Sequence, residues 1–576
     1  MSSQLRSLEG QLDQDAPLIS RQARAYLGIA LIFVSLALAW HLTLAATGNV
    51  NWLDPDVTLK AVMRGRPFRA AQNPVVIAVL ALLAWMLLIG VWFSVSAGWS
   101  SRRNRRRSKG FASKHDLTDG MSERRARASA EYLRPDLDAK ARRKAGRDDV
   151  GLHLGRSTTG VDVVLPLEDH VAVVGPTGSG KTSQVLIPAA LSTPLDKPLI
   201  VTSTKGDILT AISEHRQRKG GRVWVFDPAD RLNWAEAMTW NPVLGCQDGA
   251  TAVAMGNAFV AAMPTDKGTS GSTFFRTNAS IAVVRLLHAA ALSGRDMTAV
   301  VGWAMNLQNG AEEPQQLIRE STNPLAEPLW PGMLRNVATG GDQTVASSRQ
   351  TLAQALEPMS LASVLAWTTP QPGVPSFDPA AFLTSNDTLI LCADVNASTN
   401  VAPLTAMLFQ RLQDEAKKLA AKGSGRLSPP IRVVGDEIGN VAPLPKLPED
   451  ASDLRGRIQL LIGLQSVAGA KRRWPGDGAA ALLDNMNAEL LLGGISDPDT
   501  LKRYSQLVGD VDLQKATTSI DRDGWTNSSS LQTQTKTVLR PEEVRLIPDR
   551  QALVVYRNRP ATILNLTPWY EQRRQT

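Results

Sequence analysis

The chain has 576 residues, 43% hydrophobic and 20% charged; it can bury a sizeable core and is not a disordered chain. Its 63 Lys+Arg against 54 Asp+Glu give a formal net charge of +9, yet residues 102–147 alone hold 16 basic against 6 acidic residues, so a uniformly basic nucleic-acid coat is excluded. Two cysteines, Cys246 and Cys392, without CxxC spacing exclude a disulfide-stapled scaffold and argue against structural zinc.

Two long apolar runs come first. Tyr26 to Thr47 carries no charge beyond His41, and Val75 to Trp99 carries none; each reaches the ~20 residues that cross a bilayer as a helix. Trp40, Trp52, Trp92 and Trp99 sit near the run ends, as interfacial tryptophans do. A polar stretch before the first run argues against a signal peptide; a buried soluble hairpin is the alternative. Arg102, Arg103, Arg105, Arg106, Arg107 and Lys109 follow the second run, which predicts cytoplasmic N- and C-termini and an outward loop over 48–73. This cluster either anchors the topology or binds anionic headgroups or nucleic acid.

The resulting expectation is a membrane domain over 1–101 and a charged, partly helical connector over 102–150. An α/β nucleotide-binding domain over 151–248 and 385–576 follows, interrupted by an all-α domain over 249–384. Val171–Val174, Leu199–Thr202, Val223–Phe226, Thr388–Cys392, Arg432–Gly435, Gln459–Gly463 and Glu489–Leu492 are consecutive apolar stretches, as in parallel strands covered on both faces. Ala552–Tyr556 and Ala561–Leu566 predict a hairpin. Residues 249–384 are rich in Ala, Leu, Met and Gln, and Gly249–Met263 and Ala279–Ser293 read as helices.

The strongest motif is Gly175-Pro176-Thr177-Gly178-Ser179-Gly180-Lys181-Thr182, followed by Ser183. It fits G-x-x-x-x-G-K-[ST] after a strand. Its backbone amides would curl around phosphates, Lys181 would reach the β- and γ-phosphates of ATP, and Thr182 would ligate Mg²⁺. Asp436-Glu437 ends a later strand, with Asp436 expected on Mg²⁺ and Glu437 as general base. Gln465, 29 residues after Asp436, either senses the γ-phosphate or caps the next helix. Arg455, then Arg457, are candidates for an arginine finger acting on a neighbouring subunit, or are surface arginines. Arg472 and Arg473 read as exposed or facing nucleic acid. Thr204-Lys205-Gly206-Asp207 reads equally as a turn or as a nucleotide sensor.

Taken in order, these motifs resemble the type IV secretion coupling proteins, the membrane ATPases of conjugative DNA transfer. Two membrane runs precede the P-loop; Leu186-Ile187-Pro188, Lys205-Gly206-Asp207, Trp240-Asn241-Pro242 and Phe274-Phe275-Arg276 follow. Asp436-Glu437-Ile438-Gly439-Asn440 with Pro443-Leu444-Pro445, then Gln465-Ser466, Asp484-Asn485 and Asp497-Pro498-Asp499-Thr500 complete the series. Ile438 stands where the family usually has Phe, and Ser203-Thr204 where Asp-Pro is common. The resemblance implies a RecA-like motor in the inner membrane, in all expectation a homo-hexamer, with the finger at Arg455. It implies single-stranded DNA with an attached relaxase as cargo, moved towards the secretion channel components, and phosphate rather than base contacts. Two alternatives stand beside it: a septal or chromosomal double-stranded DNA translocase, and a substrate receptor that binds ATP without pumping.

Overall fold

A computed structural model describes residues 110–572, apart from residues 219, 237, 264–271, 342, 394–398, 445 and 521–525. The apolar runs at 26–47 and 75–99 and the basic cluster from Arg102 to Lys109 lie outside the described residues. Among the described residues no helix is long and apolar enough to cross a membrane. The chain divides into two compact units, one made of residues up to Ser113 with Asp510–Val538, the other of Lys114–Gly509 with Leu539–Thr576.

In chain order the strands are β1 (Gly151–Ser157), β2 (Asp162–Pro166), β3 (Val171–Val174), β4 (Leu199–Ser203), β5 (Val223–Phe226), β6 (Thr388–Cys392), β7 (Ile431–Asp436), β8 (Ile458–Leu464) and β9 (Ala488–Leu492). A hairpin follows, β10 (Asp510–Ile520) with β11 (Thr526–Thr537), then β12 (Gln551–Tyr556) and β13 (Arg559–Asn565).

Eleven strands of the larger unit form one mixed sheet, in the order β2-β1-β13-β12-β9-β3-β8-β7-β4-β6-β5. From β9 to β5 every neighbouring pair is parallel; from β12 to β2 every pair is antiparallel. The parallel half is where consecutive apolar residues were expected to form covered strands. Val171, Ala172, Val173 and Val174 of β3 are all 0% exposed, and each buried valine contributes about 1.5–3 kcal/mol. The expected terminal hairpin forms as β12 and β13, Ala552 opposite Leu564. Neither β1 and β2 nor the polar hairpin of the smaller unit, with Asp510 opposite Thr537, was among the expected strands.

The charged segment before β1 folds into helices Lys114–Gly120, Glu123–Leu133 and Ala139–Lys144. Its apolar side is core: Leu117, Ala126 and Ala130 are fully buried, and Val164 of β2 donates its N–H to Met121 O at 3.0 Å. Several of its cations serve helix ends; Arg127 Nη1 donates to Arg142 O at 2.9 Å and Nη2 to Ala145 O at 2.9 Å.

Between β5 and β6 the described elements are helices, arranged around Ser272–Leu292. Helix Gly249–Ala261 lies close against it: a Cβ on Gly256 would stand 3.1 Å from Val284 N. The same helix packs on Ala402–Ala421, which leads from β6 to β7. An aromatic cluster joins this layer to the sheet edge, with Phe226 of β5 in edge-to-face contact with Trp240 at 5.9 Å and Trp367 at 6.0 Å.

Two buried guanidiniums lock the end of the helix that follows the P-loop. Arg432 of β7 donates to Ala189 O at 2.9 Å and to Gln459 Oε1 at 2.8 Å. Arg216 donates to Thr193 O and Pro194 O, both at 3.1 Å. Cations at a helix C-terminus are favoured by its partial negative charge. Burial nevertheless lowers both pKa values to about 10.

Candidate nucleotide site

The tips of four adjacent parallel strands, β3, β8, β7 and β4, meet at one edge of the sheet, the edge where α/β folds bind ligands. β3 runs directly into the glycine loop, and Gly175 N extends the ladder by donating to Leu464 O at 3.0 Å. The loop is tied internally by Ser179 Oγ, which donates to Pro176 O at 2.8 Å. Gly178 and Gly180 take φ of +83° and +88°, a region open to glycine but strained for other L-residues.

Lys181 Nζ reaches back across the loop and donates to Gly175 O at 2.6 Å and Pro176 O at 3.0 Å. It is 8% exposed. Burial lowers its pKa, Asp436 and Glu437 oppose that, and Lys205 adds to it. Two carbonyls are weak partners for a buried ammonium, and phosphate oxygens would be stronger ones. After Lys181 the chain makes a π-helical turn over Thr182–Leu186, then the helix Ile187–Leu191, in which Pro188 sits in the first turn.

Thr182 Oγ1 donates to Asp436 Oδ2 at 3.0 Å. A hydroxyl and a carboxylate side by side are the hard oxygen donors Mg²⁺ takes, with phosphate oxygens and water filling the other positions. The residues present therefore fit the ion. Burial raises the pKa of Asp436 and the Glu437 charge adds to it, while Thr182, Lys181 and Lys205 pull it down. Thr202 Oγ1 holds the backbone by donating to Asp436 O at 3.2 Å.

Glu437 is a non-glycine residue in the left-handed region, φ +54° and ψ +39°, a conformation that costs of order 1–3 kcal/mol and clusters at functional sites. The kink turns the chain out of β7 into the short helix Ile438–Val441. Ile438 is fully buried. Three neutral donors surround the Glu437 carboxylate: Thr204 Oγ1 at 3.4 Å, Asn440 Nδ2 at 3.2 Å and Gln465 Nε2 at 3.4 Å. The structure thus brings Lys181, Thr182, Asp436, Glu437 and Gln465 together, with Lys205 near enough to act on Lys181 and Asp436. The sequence reading held Asn440 only as the last residue of the Asp436–Asn440 motif and Thr202 only as the end of a strand, with no role of its own for either; the signal for Asn440 was its place three residues after Glu437, one helical turn on.

Arg455 is not part of this cluster. It precedes β8, whose length puts it roughly 20 Å from the tip that carries Gln465. Its Nη2 donates to Glu168 Oε1 at 3.0 Å and lies 3.6 Å from Asp169 Oδ1, both carboxylates buried. Arg457 pairs with Asp453 at 2.5 Å. Arg426 and Arg557 complete the neutralisation of Glu168 and Asp169.

Several short motifs serve structure. Asn241 Oδ1 accepts from Val243 N at 3.0 Å, closing a turn. Asp497 caps the helix Pro498–Val508 by accepting from Thr500 N at 3.1 Å. Asn485 Nδ2 donates to Pro448 O at 2.9 Å. Arg276 Nη2 donates to Met263 O at 3.2 Å.

A phosphate loop on β3, an acidic pair on β7 and the intervening strand β8 together define a RecA-like P-loop fold with a large mixed sheet. Residues 112–576 match the family described as "Type IV secretory system Conjugative DNA transfer", and the chain belongs to that family. It is similar to the protein VirD4 of Rhizobium radiobacter, 22% identical over 420 residues, covering 70% of this chain and 58% of that protein. It is similar also to VirD4 of Rhizobium rhizogenes, 22% identical over 430 residues, covering 70% and 59%; the chain thus spans just under three-fifths of the length of these relatives. Among solved structures, the unbound bacterial conjugative coupling protein TrwB superposes with a TM-score of 0.52 at 16% identity, covering 72% of this chain and 88% of that one, which is a likeness of fold.

Proposed function

We propose that the protein is a membrane-anchored ATPase that couples ATP hydrolysis to the transfer of DNA through a type IV secretion or conjugation channel. The observation that carries this is the convergence of Lys181, Thr182, Asp436, Glu437 and Gln465 on one sheet edge, in a chain of the conjugative DNA transfer family. Solved structures of TrwB carry a non-hydrolysable ATP analogue and ADP with Mg²⁺, in keeping with the same ligands here.

The amides of 175–183 and Lys181 hold the phosphates. Mg²⁺, held by Thr182 and Asp436, would neutralise phosphate charge. Glu437 takes a proton from water as the water oxygen bonds to the γ-phosphorus and the bond to the ADP oxygen breaks. Gln465 reports on the γ-phosphate. Arg455 serves a neighbour's site in a homo-hexamer: it stands at the far edge from its own P-loop, pre-oriented by buried Glu168. Residues 26–47 and 75–99 anchor the protein in the inner membrane, both termini are cytoplasmic, and the helical layer over 249–384 receives the cargo, single-stranded DNA with its relaxase.

The test is ATP hydrolysis by the full chain in lipid nanodiscs, with single- or double-stranded DNA, and Lys181→Ala as the blank. Stimulation by single strands that Lys181→Ala abolishes is expected. Stronger stimulation by duplex would instead point to a chromosome translocase. Glu437→Gln should bind ATP yet block DNA transfer between cells; normal transfer would leave only a non-pumping receptor.

A further inference from the structure

The Glu437 carboxylate is linked beyond its immediate donors. Asn440 gives Nδ2 to Glu437 Oε2 at 3.2 Å and accepts Arg473 Nη2 on Oδ1 at 3.1 Å. A guanidinium only donates and a carboxylate only accepts, so these two partners fix which way the Asn440 amide points. The bonds to Glu437 run from 3.2 to 3.4 Å, at or beyond the long end of the usual range. They are weak enough to be broken by a better-placed partner.

Arg473 ends the helix Val467–Arg473, whose last turn is Lys471, Arg472 and Arg473. Lys471 and Arg472 are exposed and Arg473 half-buried. The helix starts at the tip of β8, where Ser466 Oγ caps it by accepting from Gly469 N at 2.9 Å. It is braced against the segment after β7: Trp474 Nε1 donates to Leu444 O at 2.9 Å. A Cβ on Gly439 would stand 3.1 Å from Arg473 Cγ, so the glycine makes room for the arginine stem over the short helix after Glu437. Three consecutive cations therefore sit on a rigid mount, and the last is two hydrogen bonds from the proposed general base.

We propose that Lys471, Arg472 and Arg473 bind the phosphodiester backbone of the DNA strand, and that Arg473 reports its presence to Glu437 through Asn440. The inference rests on the reading of the protein as a DNA-driven ATPase. A phosphate oxygen carries the negative charge that the Asn440 amide lacks and can take a guanidinium in a paired fork, so it is the stronger acceptor for Arg473. Arg473 then leaves Asn440, the amide turns, and Glu437 Oε2 loses a donor. A carboxylate whose lone pairs are engaged is a poor acceptor for the proton of water; one that is released is a better one. Hydrolysis is slow without DNA and fast with it. Asn440 and Arg473 are positioning residues.

The experiment is steady-state ATP hydrolysis by the full chain in nanodiscs, with and without a polythymidine oligonucleotide, together with oligonucleotide binding. Asn440→Ala should raise the DNA-free rate towards the stimulated one, bringing the stimulation ratio from several-fold to about one, with oligonucleotide affinity within twofold of wild type. Arg473→Ala should also bring the ratio to about one while weakening binding, and Arg473→Lys should restore part of the ratio. Replacing Lys471 and Arg472 together by Ala should raise the half-saturating oligonucleotide concentration tenfold or more and flatten its salt dependence. Should Asn440→Ala not fold, Arg473→Ala, at a half-exposed position, carries the test. A stimulated wild type whose Asn440→Ala and Arg473→Ala variants keep its ratio would overturn the inference and leave the motor reading standing. A wild type that hydrolyses ATP but is not stimulated by DNA would overturn both, and stimulation by polyglutamate instead would assign the site to an acidic protein partner.

Discussion

Gly180 exposes the phosphate loop to a quantitative test. Its φ of +88° lies where an L-residue costs about 1–2 kcal/mol, and an added Cβ would stand 2.7 Å from Gln184 Cδ. Gln184 Oε1 has no hydrogen-bond partner among the described residues, so the amide can swing aside for roughly 0.5–1.5 kcal/mol of rotamer cost. Gly180→Ala therefore carries about 1.5–3.5 kcal/mol of strain. If the loop keeps its shape, folding stability falls by that amount. If the loop relaxes, ATP must restore the cradle and affinity falls instead. The two losses share one total, and at about 1.4 kcal/mol per tenfold, an outcome wholly in affinity is a roughly 10–300-fold rise in Kd. Titration with a fluorescent ATP analogue in Mg²⁺, beside chemical denaturation of the nucleotide-free protein, measures both. A Kd within twofold of wild type together with an unchanged unfolding midpoint would refute the reasoning.

Three further predictions follow from burial. Burial and the adjacent Glu437 raise the pKa of Asp436, so its stabilising contribution is complete at low pH and lost as pH rises through the raised value; at pH 7 Asp436→Asn should raise the nucleotide-free unfolding midpoint while weakening Mg²⁺-dependent nucleotide binding at least tenfold, and a lowered midpoint counts against the argument. His170, at the start of β3, is buried, accepts from Leu460 N on Nδ1 and faces Ala451 O with Nε2; burial takes its pKa to about 4, so the unfolded chain binds its proton first on acidification, and about 3 kcal/mol of stability should disappear as pH falls from 6.5 to 4, a slope that His170→Asn should lack in paired denaturation curves. Arg432→Met strands Ala189 O and Gln459 Oε1 inside the core but also removes a buried charge; we expect a net loss of about 2–4 kcal/mol in urea unfolding, and a stabilised variant would show that desolvation outweighs the four hydrogen bonds from Arg432.

The parallel half of the sheet was legible because its strands are apolar at consecutive positions, and the P-loop and acidic pair because strand tips carry them. β1 was obscured by His153, Gly155 and Arg156, and by a charged segment before it whose helices bury only small patches. The hairpin of β10 and β11 is written largely in Thr, Ser, Gln and Lys, which leave no face for a pattern to reveal. Thr204 was read only as a turn or a sensor, and the link from Arg473 through Asn440 to Glu437 could not be read, because the helix Val467–Arg473 meets the helix Ile438–Val441 only through the pairing of β7 with β8. Arg455 illustrates the opposite case: spacing nominated it for the site, and the structure holds it against Glu168 and Asp169 instead.

The chain leaves the larger unit after Gly509 and re-enters at Leu539, and Ser505 Oγ donates to Leu539 O at 2.6 Å. An excursion that leaves and returns at neighbouring points pays a closure entropy that grows only slowly with its length. The hairpin it carries, β10 with β11, lies outside the eleven-stranded sheet, so a change in its length costs the larger unit little closure entropy and leaves the pairing that spaces the four tips unaltered.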